Sequence, residues 1–249
     1  MLAVMMLVFI TGLVIGSFLN VCIYRLPKNQ SIISPPSHCP GCRRQLGVLQ
    51  LIPVLSYLFQ RGKCRYCGVK ISPRYLLVEL LTGMAFVLFV AVFGFQLQTL
   101  YYIVLFCALL TASLIDLDHQ IIPDQISLFL VGAGLLLQAL HSTGALIDGI
   151  IGGLLGGGLL LVLAVLSKGG MGGGDVKLIT GIGIFLGWKL LLVCLFFSFV
   201  MGSLVGLGLV LAKNKDMKTA VPFGPFLSAG AMIAIFYGQK IIDQYLAYF

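Results

Sequence analysis

The feature that most constrains this chain is a series of long, nearly uncharged apolar stretches separated by short polar segments. One transmembrane helix takes about 20 such residues, and the 249 residues leave room for seven or eight. Hydrophobic residues make up 59% of the chain and charged residues only 10%, whereas soluble domains average about 25% charged residues. The sequence therefore predicts an all-α polytopic membrane protein of about eight transmembrane helices, surrounded by membrane lipids.

The apolar stretches give approximate helix positions. The first, residues 1–24, lacks a basic start and a small-residue cleavage site, so we expect a retained helix rather than a signal peptide. Glycines spaced four apart, such as Gly12/Gly16, Gly152/Gly156 and Gly153/Gly157, indicate close helix packing. The predicted helices cover residues 2–24, 76–95, 98–115, 126–141, 146–167 and 222–242, with two more between 178 and 212 that break near Gly187.

A basic loop sets the expected orientation. Nine of the sixteen Lys and Arg residues lie between Arg25 and Arg74, a stretch without Asp or Glu. A basic excess in a loop between membrane helices marks the cytoplasmic side. Alternation then places residues 116–125, the stretch from Gly169 to Lys177 and the lysines of 213–218 on that side too. Because topology accounts for the charge, we expect no nucleic-acid partner.

The same loop carries two CxxC pairs, Cys39/Cys42 and Cys64/Cys67, with 21 residues between them. Each pair can supply one edge of a tetrahedral zinc site. Two disulfides are the alternative, which a reducing cytoplasm disfavours. The pattern predicts a structural Zn²⁺ in a small cytoplasmic zinc-ribbon-like loop domain. Four thiolates would close the metal's coordination shell and leave it no catalytic role.

Carboxylates are rare, so each one near hydrocarbon requires an explanation. Asp116 follows the apolar run from Tyr101 to Ile115, and Asp175 follows three glycines, so both are expected at the cytoplasmic boundary. Two close carboxylates share a proton, which suits general acid–base hydrolysis of a peptide. A helix-capping role for either aspartate remains the alternative.

The remaining acidic residues have simpler explanations. Asp124 is predicted to cap a helix N-terminus. Asp148, Asp216 and Asp243 fall in or beside predicted loops, where solvation accounts for them. The glycines before Asp175 predict an irregular backbone that a substrate chain could approach closely, because no Cβ intervenes.

Four separated motifs resemble the type IV prepilin peptidases, membrane proteases of the GxGD aspartyl group. They are Gly16-Ser-Phe-Leu-Asn-Val-Cys-Ile-Tyr-Arg-Leu-Pro27, Arg74-Tyr-Leu-Leu-Val-Glu-Leu-Leu-Thr-Gly83, Ile115-Asp-Leu-Asp-His-Gln-Ile-Ile-Pro-Asp124 and Gly172-x-Gly174-Asp175. The resemblance covers essentially the whole chain. It implies that Asp116 and Asp175 are the catalytic aspartates, with Gly172 and Gly174 beside the substrate and Asp118 in a lesser, local role.

The resemblance also implies the substrates, type IV prepilins or pseudopilins, cut after the last glycine of a basic leader at the inner boundary of the cytoplasmic membrane. Many relatives then methylate the new N-terminal residue with S-adenosylmethionine. On this basis residues 1–24 are the first membrane helix, 25–75 the zinc-binding and methyltransferase part, and 76–249 the peptidase core. No sequence motif marks a methyl-donor site, although the buried Glu79 is a candidate.

Two rival functions stay open at the level of the residues. Membrane carboxylates also relay protons in coupled transporters, although such sites usually lie near the bilayer midplane. A zinc-stabilised scaffold for an assembly machine, without catalysis, is the other alternative.

Overall fold

A computed structural model describes residues 1–167, 171–211 and 221–248. Within these ranges the chain is helical, and its extended pairing is limited to two isolated β-bridges. The predicted all-α class is confirmed. The lysines predicted for inner loops at 168 and 213–218, together with Gly169 and Asp216, lie outside the described residues. The helices are α1 Leu2–Arg25, α2 Leu55–Phe59, α3 Pro73–Phe93, α4 Leu97–His119, α5 Asp124–His141, α6 Thr143–Leu166, α7 Gly173–Leu211 and α8 Gly224–Leu246.

Seven of the described helices, all except α2, are long and apolar enough to cross a membrane. Their ends follow local signals. Ser72 caps α3 by accepting a hydrogen bond from the Arg74 N–H, and Pro73 occupies the first turn, where a missing N–H costs nothing. This helix therefore begins three residues before the predicted start.

A break at Gly187 divides α7, as the sequence predicted. The helix has 39 residues, about 58 Å at 1.5 Å per residue, which is far longer than the roughly 30 Å hydrocarbon core. Gly187 has φ 72° and ψ 168°, a conformation that only glycine adopts readily. A Cβ there would also collide with the Asp148 carboxylate. Asp148 thus lies inside α6, beside this break.

The first compact unit spans Met1–Ile103, so its boundary falls within α4. In it α1 packs on α3 through the predicted glycines. A Cβ on Gly12 would lie 2.7 Å from the Gly83 Cα, and one on Gly16 would lie 2.8 Å from the Glu79 Cα. The two backbones therefore approach as closely as the small-residue spacing predicted.

The second compact unit spans Val104–Phe249. Here α7 packs against α5, α6 and α8. Gly152 and Gly153 of α6 face the α7 backbone, where a Cβ would meet carbonyl oxygens. Fully buried aliphatic side chains form the core around α7: Leu130, Leu160, Leu178, Ile179, Ile182, Leu191 and Leu227. This packing brings the start of α7 and the start of α8 to the end of α4.

Candidate active site and metal centre

The end of α4 carries the first predicted catalytic residue. Asp116 lies one turn before the helix end and is 5% exposed. The helix closes when the Gln120 N–H bonds to the Asp116 carbonyl oxygen at 2.8 Å. Gln120 then adopts a left-handed conformation, φ 53°, which turns the chain toward α5. The motif from Ile115 to Asp124 therefore forms a tight corner between α4 and α5.

Asp175 lies in the first turn of α7 and is 8% exposed. Its N–H bonds to the Gly172 carbonyl oxygen at 3.1 Å. Gly172 stays outside the helix and is exposed, whereas Gly173 and Gly174 are helical. The irregular backbone expected for the glycine run is thus confined to its beginning. A carboxylate in the first helical turn is stabilised by the free N–H groups there.

Ile122 lies between the segments that bear these groups. A Cβ on Gly174 would lie 3.0 Å from the Ile122 Cβ, and one on Gly224 would lie 3.3 Å from the Ile122 Cδ1. The corner after α4, the start of α7 and the start of α8 therefore meet around one buried isoleucine. Asp116 and Asp175 are close enough for their charges to interact.

One element of this site was not predicted from the sequence. The Gly224 N–H donates a 2.9 Å hydrogen bond to the Asp116 Oδ2. Gly224 follows Pro222 and precedes Pro225, a pattern that signals a helix start. That signal could have located the beginning of α8, but nothing local connects it with a carboxylate 108 residues earlier.

Two other aspartates near the site have different surroundings from Asp116. Asp118 is exposed. Asp124 was predicted to be an N-cap, which is wrong: Pro123 occupies the N-cap position and Asp124 is the first helical residue. Its Oδ1 instead pairs with the Lys177 Nζ at 2.7 Å, joining the start of α5 to the start of α7.

In the first unit, the four predicted metal ligands Cys39, Cys42, Cys64 and Cys67 converge. Their sulfur atoms all lie within 4.8 Å of one another, and the Cys39 and Cys67 sulfurs are 3.7 Å apart. Zn–S bonds of about 2.3 Å in a tetrahedron place sulfurs about 3.8 Å apart. The cluster therefore has the donor atoms and the dimensions of a closed metal site.

The two cysteine pairs sit in matching turns. The Arg43 N–H bonds to the Cys39 carbonyl, and the Gly68 N–H bonds to the Cys64 carbonyl. Each turn is flanked by an isolated antiparallel bridge. Backbone N–H groups of Cys67 and Tyr66 lower the pKa of the Cys64 thiol to about 6. These N–H groups favour the thiolate form of Cys64, which is the form that binds metal.

Glu79 is buried near the start of α3, and its Oε2 accepts a 2.7 Å hydrogen bond from the Val54 N–H. Val54 has φ 62°, which is strained for a β-branched residue. The carboxylate therefore fixes an unusual turn of the loop. Its suggested part in methyl-donor binding stays a prediction.

Comparison with known proteins decides the family. Residues 10–93 match the Bacterial Peptidase A24 N-terminal domain, and residues 103–207 match the Type IV leader peptidase family. A protein of Bacillus subtilis (strain 168) named prepilin leader peptidase/N-methyltransferase is 39% identical over 96% of this chain and 97% of its own length. The chain belongs to the type IV leader peptidase family.

Other members of the type IV leader peptidase family carry the same name. The protein of Aeromonas hydrophila is 37% identical over 98% of this chain and 94% of its own length. The protein of Pseudomonas aeruginosa PAO1 is 33% identical over 99% and 95%, respectively. No solved structure shows a significant match to the chain. With seven apolar helices among the residues that the structure describes, this leader peptidase family member is a multi-pass membrane protein.

The two family matches divide the sites between them. The cysteine cluster lies in the A24 N-terminal match, and both aspartates lie in the type IV leader peptidase match. Gly224 lies beyond both matched ranges, although it bonds directly to Asp116. The structure thus adds a residue that the matched ranges do not include.

Proposed function

We propose that this protein is an aspartyl endopeptidase of the bacterial cytoplasmic membrane that removes the leader of type IV prepilins or pseudopilins after its last glycine. The observation that carries the proposal is that two buried carboxylates, Asp116 and Asp175, lie on segments that meet around Ile122. Membership of the type IV leader peptidase family and the names of the relatives support the substrate class.

The chemistry follows from the shared position of the two carboxylates. One ionised aspartate accepts a proton from water, whose oxygen attacks the scissile carbonyl carbon. The other, protonated, donates its proton to the carbonyl oxygen. Collapse of the tetrahedral intermediate breaks the C–N bond. The leaving amine takes the proton that the first aspartate accepted from water, and a hydroxyl of the intermediate returns a proton to the second aspartate. No covalent link to the enzyme forms.

The glycines before Asp175 are proposed to receive the substrate backbone. Gly172 is exposed and lacks a side chain, so an extended peptide can lie against it and reach the carboxylates. Gly174 packs against Ile122 instead, and its contribution is to let the α7 start lie close to the corner after α4.

The decisive experiment compares purified wild-type protein with Asp116→Asn and Asp175→Asn, using a type IV prepilin that retains its leader. Each isosteric change removes one proton-transfer group, so we expect cleavage to fall at least about 100-fold. Asp243→Asn is the matched control, because Asp243 is exposed near the end of α8, where its Oδ1 accepts a hydrogen bond from the Gln239 Nε2. Cleavage at the wild-type rate by Asp116→Asn or by Asp175→Asn would refute the proposal.

A second activity, N-methylation of the new N-terminal residue, is proposed from the names of the relatives, which join peptidase and N-methyltransferase. S-adenosylmethionine would supply the methyl group, and residues 25–75 are the proposed methyltransferase part. The geometry of the described residues assigns none of them to this donor. Methyl-labelled S-adenosylmethionine should mark the cleaved product, and an unlabelled product would restrict the protein to proteolysis.

The cysteine cluster is proposed to hold one structural Zn²⁺. Four sulfur ligands would fill the coordination shell, so the ion would stabilise the loop rather than react. The active site is proposed to face the cytoplasm, on the basis of the basic loop. The comparisons give no support to a transporter or to a scaffold without catalysis.

A further inference from the structure

The start of α8 presents one backbone donor to the active site. Helix N-termini leave their first N–H groups without intrahelical partners. In α8, Pro225 has no N–H, and the N–H groups of Phe226 and Leu227 both bond to the Phe223 carbonyl at 3.0 and 3.1 Å. The Gly224 N–H alone remains, and it bonds to the Asp116 Oδ2.

Glycine is required at this position by space. A Cβ on Gly224 would lie 2.9 Å from the Asp116 Oδ2 and 3.4 Å from the Asp116 Cβ. Both atoms belong to the same aspartate, and the same Cβ would lie 3.3 Å from the Ile122 Cδ1. Any side chain at position 224 therefore has to displace the carboxylate or the helix start.

A serine pair holds the donor in place. The Ser228 hydroxyl donates to the Gly224 carbonyl at 2.9 Å, one turn further along α8. Its oxygen also lies 2.7 Å from the Ser113 hydroxyl, three residues before Asp116. The Asp116 carboxylate lies on α4 and the Gly224 N–H lies on α8, and the Ser113–Ser228 hydrogen bond joins these two helices close to both groups.

We infer that Gly224 is a positioning residue for catalysis, whose backbone N–H fixes one oxygen of Asp116 so that the other is presented to the shared water. This inference rests on the proposed peptidase function. An amide donor also favours the ionised carboxylate. The start of α8 becomes the third wall of the active site, beside α4 and α7.

The test is the steady-state cleavage of a type IV prepilin by Gly224→Ala. Displacement of a catalytic group by about 1 Å can cost about 100-fold in rate, so we expect kcat to fall by roughly that factor while KM stays near the wild-type value. A purely structural role would instead lower the folded fraction and leave kcat per folded molecule unchanged.

Gly230→Ala is the matched control. Gly230 lies six residues further along the same helix and is more crowded than Gly224, since a Cβ there would meet the Ser198 hydroxyl and the Cys194 carbonyl. This change should lower thermal stability but preserve kcat per folded molecule. An equal fall in kcat for both glycine variants, or a wild-type kcat for Gly224→Ala, would overturn the inference.

Two further variants keep the outcomes separate. If Gly224→Ala does not fold, Ser228→Ala tests the inference instead, because it removes the hydroxyl that bonds to Ser113 and to the Gly224 carbonyl and adds no atom. We expect a several-fold loss of kcat, and an unchanged kcat counts against the inference. If Asp116→Asn cleaves normally, the peptidase proposal itself fails. An inactive Asp116→Asn beside a fully active Gly224→Ala refutes only the role of Gly224.

Discussion

At the scale of single residues, the contact that Asp124 makes could not be predicted from its local sequence. An aspartate before an apolar run is a common N-cap, and the sequence offered no other partner. Its actual partner, Lys177, is 53 residues away and becomes a neighbour only because α5 and α7 pack together. The same limit hid the Gly224 bond to Asp116, whereas the aspartates themselves could be predicted because carboxylates are rare in this chain.

The Asp124–Lys177 pair should contribute little to stability. The side chains are 72% and 55% exposed, respectively, and exposed ion pairs are worth about 0.2–1 kcal/mol. A double-mutant cycle with Asp124→Ala and Lys177→Ala, followed by thermal unfolding in detergent, should give a coupling energy in that range that shrinks with added salt. A coupling above about 2 kcal/mol would show that the pair does more than join two exposed helix ends.

At the scale of elements, the cysteine turns were predictable because each ligand pair lies within four residues. The CxxC spacing determines which two sulfurs each turn can bring together. The two turns also contain the same backbone hydrogen bond, from an N–H to the carbonyl of the first cysteine of the pair. The strained Val54 turn was not predictable, since its conformation depends on Glu79, 25 residues away. Geometry that depends on residues close in sequence can be predicted from the local sequence, whereas a strained conformation that depends on a distant carboxylate cannot.

Metal binding should stabilise this loop, which has little apolar core of its own. We expect about one zinc per chain by elemental analysis and faster tryptic cleavage after Arg43, Arg61 or Arg65 when the metal is removed. Cys67→Ser should lower the zinc content and the resistance to trypsin, because it removes one of the four metal ligands. Cys107→Ser, a change in α4 outside the cluster, should retain the metal and the protease resistance. A zinc-free loop that resists trypsin as well as wild type would contradict the metal site.

At the scale of the whole molecule, the apolar stretches predicted the membrane class and the approximate place of every described membrane helix. They did so because a bilayer imposes helix length and composition directly. The break at Gly187 was also visible, since Gly-Trp-Lys interrupts an apolar run too long for one pass. The apolar stretches alone did not predict which helices are in contact, whereas the glycine spacing predicted that α1 and α6 pack closely against neighbouring helices.

Orientation in the bilayer is the whole-molecule property on which the proposed function depends. If the basic loop faces the cytoplasm, alternation places Val48 and Ile121 inside, and Phe95 and Ser142, which follow α3 and α5, outside. All four are exposed, so each can be replaced by cysteine and treated with a membrane-impermeant maleimide, with the parent protein giving the background from the native cysteines. Phe95→Cys and Ser142→Cys should react in spheroplasts, whereas Val48→Cys and Ile121→Cys should react only in inverted vesicles. Labelling of Val48→Cys and Ile121→Cys from opposite sides would separate the loop from the aspartates and exclude a single cytoplasmic face for both.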